Sequence, residues 1–242
     1  MSTRTFLRAA VFLSSALLLA VDPASAADTT LFDGQDLGGW KSPTGNWQLA
    51  RNVKLDPANP KHFIAEAGSG IMLNSPTNST VNLVSRDEFA DCEAHVEFCV
   101  PLKSNSGVYL MGRYEVQVFD SWGVKEPKSS DCGGVYASCS EPKPDYPGRA
   151  PLTNASKPPG EWQSFDITFR APRFDASGRK VENAKFVRVM HNGKVIQENV
   201  EVPRPTCAAR WLDEKPTGPV MLQGDHGPVA YRKIIIRPVE LK

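Results

Sequence analysis

The chain has no excess of charge of either sign, and it lacks the cysteine and histidine spacings of common metal sites. Its 242 residues carry 28 Lys and Arg against 27 Asp and Glu, with only four histidines. A nearly neutral chain without a basic run lacks the positive surface that binds nucleic acid or acidic lipid. No CxxC or HxxxH spacing occurs, which disfavours a zinc site. We therefore expect no nucleic-acid partner.

Long apolar runs are also missing, apart from Ala9–Val21 near the N-terminus. Arg4 and Arg8 precede this run and Ala24-Ser25-Ala26 follows it, an order typical of a secretory signal peptide cleaved after Ala26. The run is too short for a comfortable membrane span. We expect export to the periplasm or beyond, no membrane span, and a single mature domain over residues 27–242.

Helical periodicity with start and stop signals is absent from every segment, whereas 20 prolines and 18 glycines separate short strand-like runs. Asn192-Gly193 is a favoured hairpin corner because both of its residues tolerate positive φ. Many strands and almost no helix indicate an all-β sandwich, jelly roll or barrel. The predicted strands are Trp47–Leu49, Val81–Ser85, Asp91–Pro101, Gly107–Met111, Tyr114–Phe119, Trp162–Arg170, Lys185–Met190, Lys194–Asn199, Val220–Gln223 and Val229–Arg237.

One region, Lys125–Gly160, is rich in Pro, Gly and Ser, and a connection of this length is usually functional or disordered. We interpret it as a long ordered loop that folds over one end of the sandwich, where it could wall a site. Cys132 and Cys139 flank its Gly-rich part and form the favoured disulfide candidate. Cys92 and Cys99 lie an odd number of residues apart on one strand, so they face opposite sides and cannot pair.

The strand Tyr114–Phe119 alternates apolar and polar residues, which gives it one face for a core and one polar face. The polar face presents Glu115 beside Gln117, a combination suited to a sugar, which offers many hydroxyls and little charge. The alternative is an ordinary solvated outer face of an antiparallel sheet.

The strand Asp91–Pro101 alternates in the same way and presents His95 and Glu97 on its polar side. If it lies in one sheet with Tyr114–Phe119, these residues share a face with Glu115 and Gln117. Two neighbouring carboxylates would raise one pKa, as acid–base catalysis requires. The alternative is that they lie well apart on a wet surface.

A second polar cluster, Gln223–Gly227, sits between two apolar strands. His226 could act as an acid or a base with Asp225 orienting it, although an Asp-His pair in a turn is often only a local cap. Arg232, on the returning strand, has a fork geometry suited to carbonyl or hydroxyl recognition.

Two enzyme templates do not fit these residues. Sandwich β-glucanases place three carboxylates at alternate positions of one strand. The alternate positions here are Glu115, Gln117 and Phe119, and Asp120 points to the opposite face. Ordinary two-carboxylate hydrolysis is thereby disfavoured. A serine hydrolase is disfavoured as well, because no GxSxG motif occurs.

The residues resemble the DUF1080 family, also called the 3-keto-disaccharide hydrolase domain, which looks like a concanavalin-type jelly-roll β-sandwich of two antiparallel sheets. The opening Leu31–Trp40 matches that family's LFDG-x-x-L-x-x-W start. The further matching segments are Asn105–Tyr109, Tyr114–Asp120, Gly160–Trp162, His191–Gly193 and Gly218–Pro238.

The resemblance implies cleavage of glycosides whose sugar a separate 3-dehydrogenase has first oxidised at C3. The ketone acidifies the hydrogen on C2, so that a base removes it and the C1 substituent leaves. Water then adds, giving net hydrolysis, or the unsaturated sugar departs, giving lyase activity. Such a site needs a base, a group that stabilises the enolate, and an acid.

The family's motif positions fall here on Asn105, Glu115, Gln117, Asp120, Gln223, Asp225, His226 and Arg232. We expect Glu115 or His226 to act as base or acid, and Arg232 or a divalent metal ion to polarise the ketone. The amides would bind hydroxyls. One departure is Gly224, which separates Gln223 from Asp225, whereas the family often reads Leu-Gln-Asp-His-Gly.

Two other functions remain open on sequence grounds. The first is a sugar-binding module, because concanavalin-type sandwiches also bind sugars without catalysis. The second is an exported structural domain with a solvated Glu/Gln face, which would have no pocket. A buried acid–base cluster under the Lys125–Gly160 loop would favour the enzyme. An open groove lined by coplanar aromatic rings would favour the binding module.

Overall fold

The computed structural model describes residues 27–139 and 146–242, so the predicted signal peptide lies outside the described residues. Those residues form fourteen strands and no helix, which confirms the all-β prediction. No described segment is therefore a helix long and apolar enough to cross a membrane. The strands are β1 (Thr29–Phe32), β2 (Gln48–Asp56), β3 (Asn59–Leu73), β4 (Leu83–Phe89), β5 (Cys92–Cys99), β6 (Asn105–Leu110), β7 (Tyr114–Phe119), β8 (Gln163–Arg170), β9 (Arg173–Phe174), β10 (Lys180–Glu182), β11 (Ala184–His191), β12 (Lys194–Val202), β13 (Gly218–Leu222) and β14 (Ala230–Pro238).

Two antiparallel sheets form the sandwich. The large sheet has the order β12-β11-β8-β5-β14-β3-β2, with β1 added beside β14, and the small sheet has the order β4-β13-β6-β7. Strands β9 and β10 form a separate short ribbon. This is the predicted sandwich of two antiparallel sheets.

The core lies between the two sheets because alternate residues of each strand are apolar. Ala94, Val96 and Phe98 of β5 face Val116 and Val118 of β7 within one buried cluster. Rings join across the sheets as well, since Tyr114 and Phe169 have centroids 5.5 Å apart. The opposite side of each sheet is left to polar residues.

The longest strand, β3, was not predicted from the sequence. It pairs with β2 as an extended hairpin whose register shifts near Ala50, where glycines interrupt the alternation of β3. Hydrophobic periodicity over Asn59–Leu73 is correspondingly weak, which hid the strand. The hairpin at Asn192-Gly193 does form as predicted, with Asn192 and Gly193 at φ of 51° and 78°.

The disulfide prediction was wrong. Cys139 bonds to Cys207, with Cα atoms 4.8 Å apart, whereas Cys132 is a free thiol buried in the main core. Cys132 and Cys139 are close in sequence, but only Cys139 faces the distant segment that carries Cys207. The bond therefore ties the Lys125–Gly160 loop to the segment before β13.

Candidate active site

A row of buried polar side chains lies on the outer face of the small sheet. Register places Tyr109 opposite Glu115 and Gly107 opposite Gln117, with Met221 of β13 beside Tyr109. The outer face of a sandwich is normally wet, yet Glu115 is only 3 % exposed and Gln117 only 4 %. The prediction of a polar face is confirmed, while its solvated alternative is wrong.

Two loop segments cover this row. Gln117 N–H donates to Gly134 O at 2.9 Å and Gly133 N–H donates to Gln117 O at 2.8 Å, so the Lys125–Gly160 loop extends the sheet beyond β7. At the same edge of β7, the Thr206 hydroxyl accepts from Glu115 N–H at 3.2 Å, and the Tyr109 hydroxyl donates to Cys207 O at 3.3 Å. The Cys139–Cys207 bond joins the two segments over the face. The loop therefore borders the site as predicted.

Glu115 has the environment of an acid that stays neutral near pH 7. Burial raises its pKa to about 8, with the nearby Tyr109 hydroxyl acting against the shift and the Asp225 charge adding to it. Gly107 leaves the space that its carboxyl occupies, because a Cβ there would lie 2.2 Å from Glu115 Oε1. A glycine at position 107 is thus required for Glu115 to sit over the strand.

Amide side chains continue the row. Gln117 Nε2 donates to Asn105 Oδ1 at 3.1 Å and approaches Ser130 O at 3.3 Å. Gln223 is 5 % exposed, and its buried Oε1 has no hydrogen-bond partner among the described residues. A buried amide oxygen without a partner is costly, so it is suited to accept from a ligand hydroxyl.

Asp225 and His226 form a hydrogen-bonded pair at the edge of the row. His226 Nδ1 lies 2.7 Å from Asp225 Oδ1, and both side chains are about half exposed. A proton on Nδ1, held by the carboxylate, leaves Nε2 as a free base. The turn that carries the pair begins beside Glu115, because Gln223 N–H donates to Gly107 O at 2.9 Å and Gly107 lies against the Glu115 carboxyl.

The turn that carries this pair is held by Asn74, which the sequence did not single out. Asn74 Nδ2 donates to Gly224 O at 3.1 Å and to Gly227 O at 3.0 Å, while Val229 N–H donates to Asn74 Oδ1. Gly224 packs so closely that a Cβ would lie 2.3 Å from Val81 O. The additional glycine therefore fits a tight turn.

A cavity of about 570 Å³ opens beside Asp225. It lies over β4, and Lys41, Asn82, Arg210 and Trp211 contribute to its wall. This volume is within the usual range of about 300–1,000 Å³ for ligand pockets. The cavity gives a ligand access to the end of the polar row that Asp225 marks.

Three predicted site residues lie elsewhere. His95 and Glu97 are on β5 of the large sheet, so the expectation that they share a face with Glu115 and Gln117 is wrong. Arg232 pairs with Glu97 and lies 4.6 Å from the Trp162 ring centroid, on the outside of the large sheet. The alternation of apolar and polar residues predicted which side chains of a strand share a face, but not the sheet to which the strand belongs.

Asp120 has local partners at the end of β7. Its carboxylate accepts from Lys103 N–H at 2.8 Å and from Trp122 N–H at 3.3 Å. The bond from Trp122 closes a local turn, and the bond from Lys103 ties the end of β7 to the segment before β6. The structure does not bring Asp120 into the buried row.

No group of three or more His, Cys, Asp or Glu side chains within residues 27–139 and 146–242 is arranged to hold a metal ion. The donors around Glu115 are mainly amides and a phenol, with Asp225 half exposed at the edge. These described residues do not fit a dedicated divalent-metal site, so the chemistry below uses side chains alone.

The chain matches the family described as the 3-keto-alpha-glucoside-1,2-lyase-like domain over residues 27–237. The match spans most of the chain, and the protein belongs to this family. The resemblance seen in the sequence motifs is thereby confirmed. No curated protein matches the chain in sequence.

Solved structures with the same fold come from Parabacteroides distasonis ATCC 8503. A crystal structure of a "putative glycosyl hydrolase" is 27% identical with a TM-score of 0.64, covering 88% of this chain and 84% of that chain. Another protein of that description is 15% identical with a TM-score of 0.55, covering 88% and 94%. At 15% identity the likeness concerns the fold alone.

Proposed function

We propose that the protein cleaves 3-keto-glycosides by removing the C2 proton and expelling the C1 substituent. The observation that carries this proposal is the buried, neutral Glu115 lying near the half-exposed Asp225–His226 pair. Glu115 can give a proton, and the imidazole that Asp225 orients can take one, so the site offers both an acid and a base. Family membership supports the substrate class.

In the first step, His226 Nε2 takes the proton from C2. The C2–H electron pair forms an enolate with the C3 ketone, and Asp225 stabilises the imidazolium that results. Gln223 and Gln117 bind hydroxyls of the sugar ring, since their amides face the buried row. This orientation holds C2 toward His226.

In the second step, the enolate re-forms the ketone and breaks the C1–O bond. Glu115 gives its proton to the departing oxygen, so that an alcohol and an unsaturated 3-keto sugar result. Hydration reverses the proton movements: Glu115 takes a proton from water as hydroxide adds to C1, and His226 returns its proton to C2. Release before hydration gives lyase activity, and release afterwards gives net hydrolysis.

The experiment compares the turnover of 3-keto-glucosides with that of their unoxidised parents, using the intact protein. Cleavage of the keto forms alone supports the proposal, and product analysis separates elimination from hydrolysis. Binding of glycans without cleavage of either substrate would instead identify a sugar-binding module. Including EDTA in a parallel series tests whether a metal ion participates.

A further inference from the structure

The cavity beside Asp225 has two cations in its wall, Lys41 and Arg210, against the single carboxylate of Asp225. Among the described residues, neither Lys41 nor Arg210 has a carboxylate partner, and both are exposed in the cavity wall. Lys41 is held through its backbone, where its N–H donates to Val84 O at 2.8 Å. Both cations are thus fixed near the cavity while their charged groups stay available.

Two other arginines show what a paired guanidinium looks like in this protein. The neighbouring Arg113 donates to Asp213 at 3.1 Å, and Arg237 bonds Asp28 at 2.8 Å. Arg210 instead lies with its guanidinium 6.0 Å from the Trp211 ring centroid, which positions the side chain without neutralising it. Two cations without an ion pair among the described residues therefore meet in the wall of one cavity, in a chain that is nearly neutral as a whole.

The cavity lies where the departing group of the substrate would extend. Asp225 is a wall residue and holds His226, so the reacting carbon must approach this end of the polar row. The buried amides occupy the other part of the row, under the covering loops. A sugar ring bound by those amides would direct its C1 substituent into the open cavity.

We propose that this cavity selects glycosides whose C1 substituent carries a carboxylate, with Lys41 and Arg210 as its binding partners. The inference rests on the proposed function for the identity of the ring beside it. An exposed ammonium and guanidinium each contribute modestly to binding an anion, while a guanidinium also offers a bidentate geometry for carboxylate.

The test compares two 3-keto-glucosides that differ in one group: a para-carboxyphenyl and a para-carbamoylphenyl substituent. We expect kcat/KM to favour the carboxylate by about fivefold in the native protein, the size expected of exposed charge pairs. The double variant Lys41→Gln/Arg210→Gln should bring the ratio to about one, by the same reasoning. Arg51→Gln/Lys61→Gln removes equal charge from outside the cavity and should keep the preference.

An equal rate for both substrates in the native protein, or a preference that persists in the Lys41/Arg210 variant, would overturn the inference while leaving the proposed function intact. If neither keto-glucoside is cleaved, the proposed function fails instead. Calorimetric titration with the unoxidised pair then decides the inference alone, because tighter binding of the carboxylate that disappears in the double variant supports it. Thermal unfolding of every variant confirms that it is folded.

Discussion

Glu115 combines properties that a surface carboxylate does not have. It is covered by two loops and lies near the Tyr109 hydroxyl and the negative charge of Asp225. Burial disfavours its charged form, and the nearby carboxylate disfavours it further. At neutral pH the group is therefore mainly a proton donor, which is the role that the departing oxygen requires.

Replacing Glu115 with Gln removes this acid while keeping the shape and hydrogen bonding of the side chain. We expect kcat to fall by about 100-fold or more, the usual contribution of a positioned general acid. The control is Glu93→Gln on the outer face of the large sheet, which should retain native turnover. Native turnover in Glu115→Gln would remove Glu115 from the mechanism.

The same substitution should change how stability depends on pH. Between the ordinary carboxyl value of 4.5 and about 8, folded Glu115 keeps a proton that the unfolded chain has released, so folding stability falls as pH rises through this interval. Gln cannot ionise, so Glu115→Gln should gain stability relative to the native chain toward pH 8, by up to about 5 kcal/mol. Denaturant titrations at pH 5 and pH 8 measure it, and a constant difference between the two proteins would contradict the shifted pKa.

The activity should also depend on the protonation of Glu115, and it should fall on the alkaline side of the pH profile. Because the donor form is lost as pH passes about 8, kcat/KM for a 3-keto-glucoside should decline above that pH. The measurement is a pH–rate profile with a substrate whose departing group does not ionise in the same range. A rate that rises steadily through pH 9 would indicate that ionised Glu115 acts as the base.

At the scale of elements, the covering segments depend on one covalent link. The Cys139–Cys207 bond spans 68 residues and joins the loop beside β7 to the segment that bonds Glu115. Substituting both cysteines with Ser should lower the free energy of unfolding by about 4 kcal/mol, as loop-closure entropy predicts for a loop of this size. Activity should fall as well, because Glu115 would be less completely shielded from water.

Treatment with a reductant provides the matched control for the double Ser variant. Dithiothreitol should lower the melting temperature of the native protein and leave the double Ser variant unchanged, because no other cysteine pair is bonded among the described residues. An equal effect on both proteins would show that the bond does not hold the covering segments.

The sequence predicted individual strands better than their partners. Alternation over Tyr114–Phe119 gave the correct polar face, yet it could not reveal that segments near Gly133 and Thr206 bury that face. The residues that cover this face are distant in the chain, so no local sequence pattern predicts them. Asn74 was missed for the same reason, since its amide acts on a turn about 150 residues away.

At the scale of the whole molecule, the two sheets carry separate polar faces with different properties. The small sheet buries Glu115, Gln117 and Gln223, whereas the large sheet exposes His95 beside Asp166 at 2.7 Å. His95 was expected to share a face with Glu115 and Gln117 on the assumption that their strands lie in one sheet. The sandwich separates them by the thickness of its core, so only one face contains the buried acid.

This separation predicts opposite outcomes for two substitutions at motif positions. Arg232→Gln removes a half-exposed ion pair with Glu97 and a contact with Trp162, so it should cost about 1 kcal/mol of stability and leave kcat/KM within about twofold. Gln117→Ala, which breaks the bond to Asn105 inside the buried row, should raise KM about tenfold, because a desolvated hydrogen bond to substrate is lost. Steady-state kinetics on both folded variants make the comparison. A large loss of activity in Arg232→Gln with little effect of Gln117→Ala would place catalysis on the large sheet.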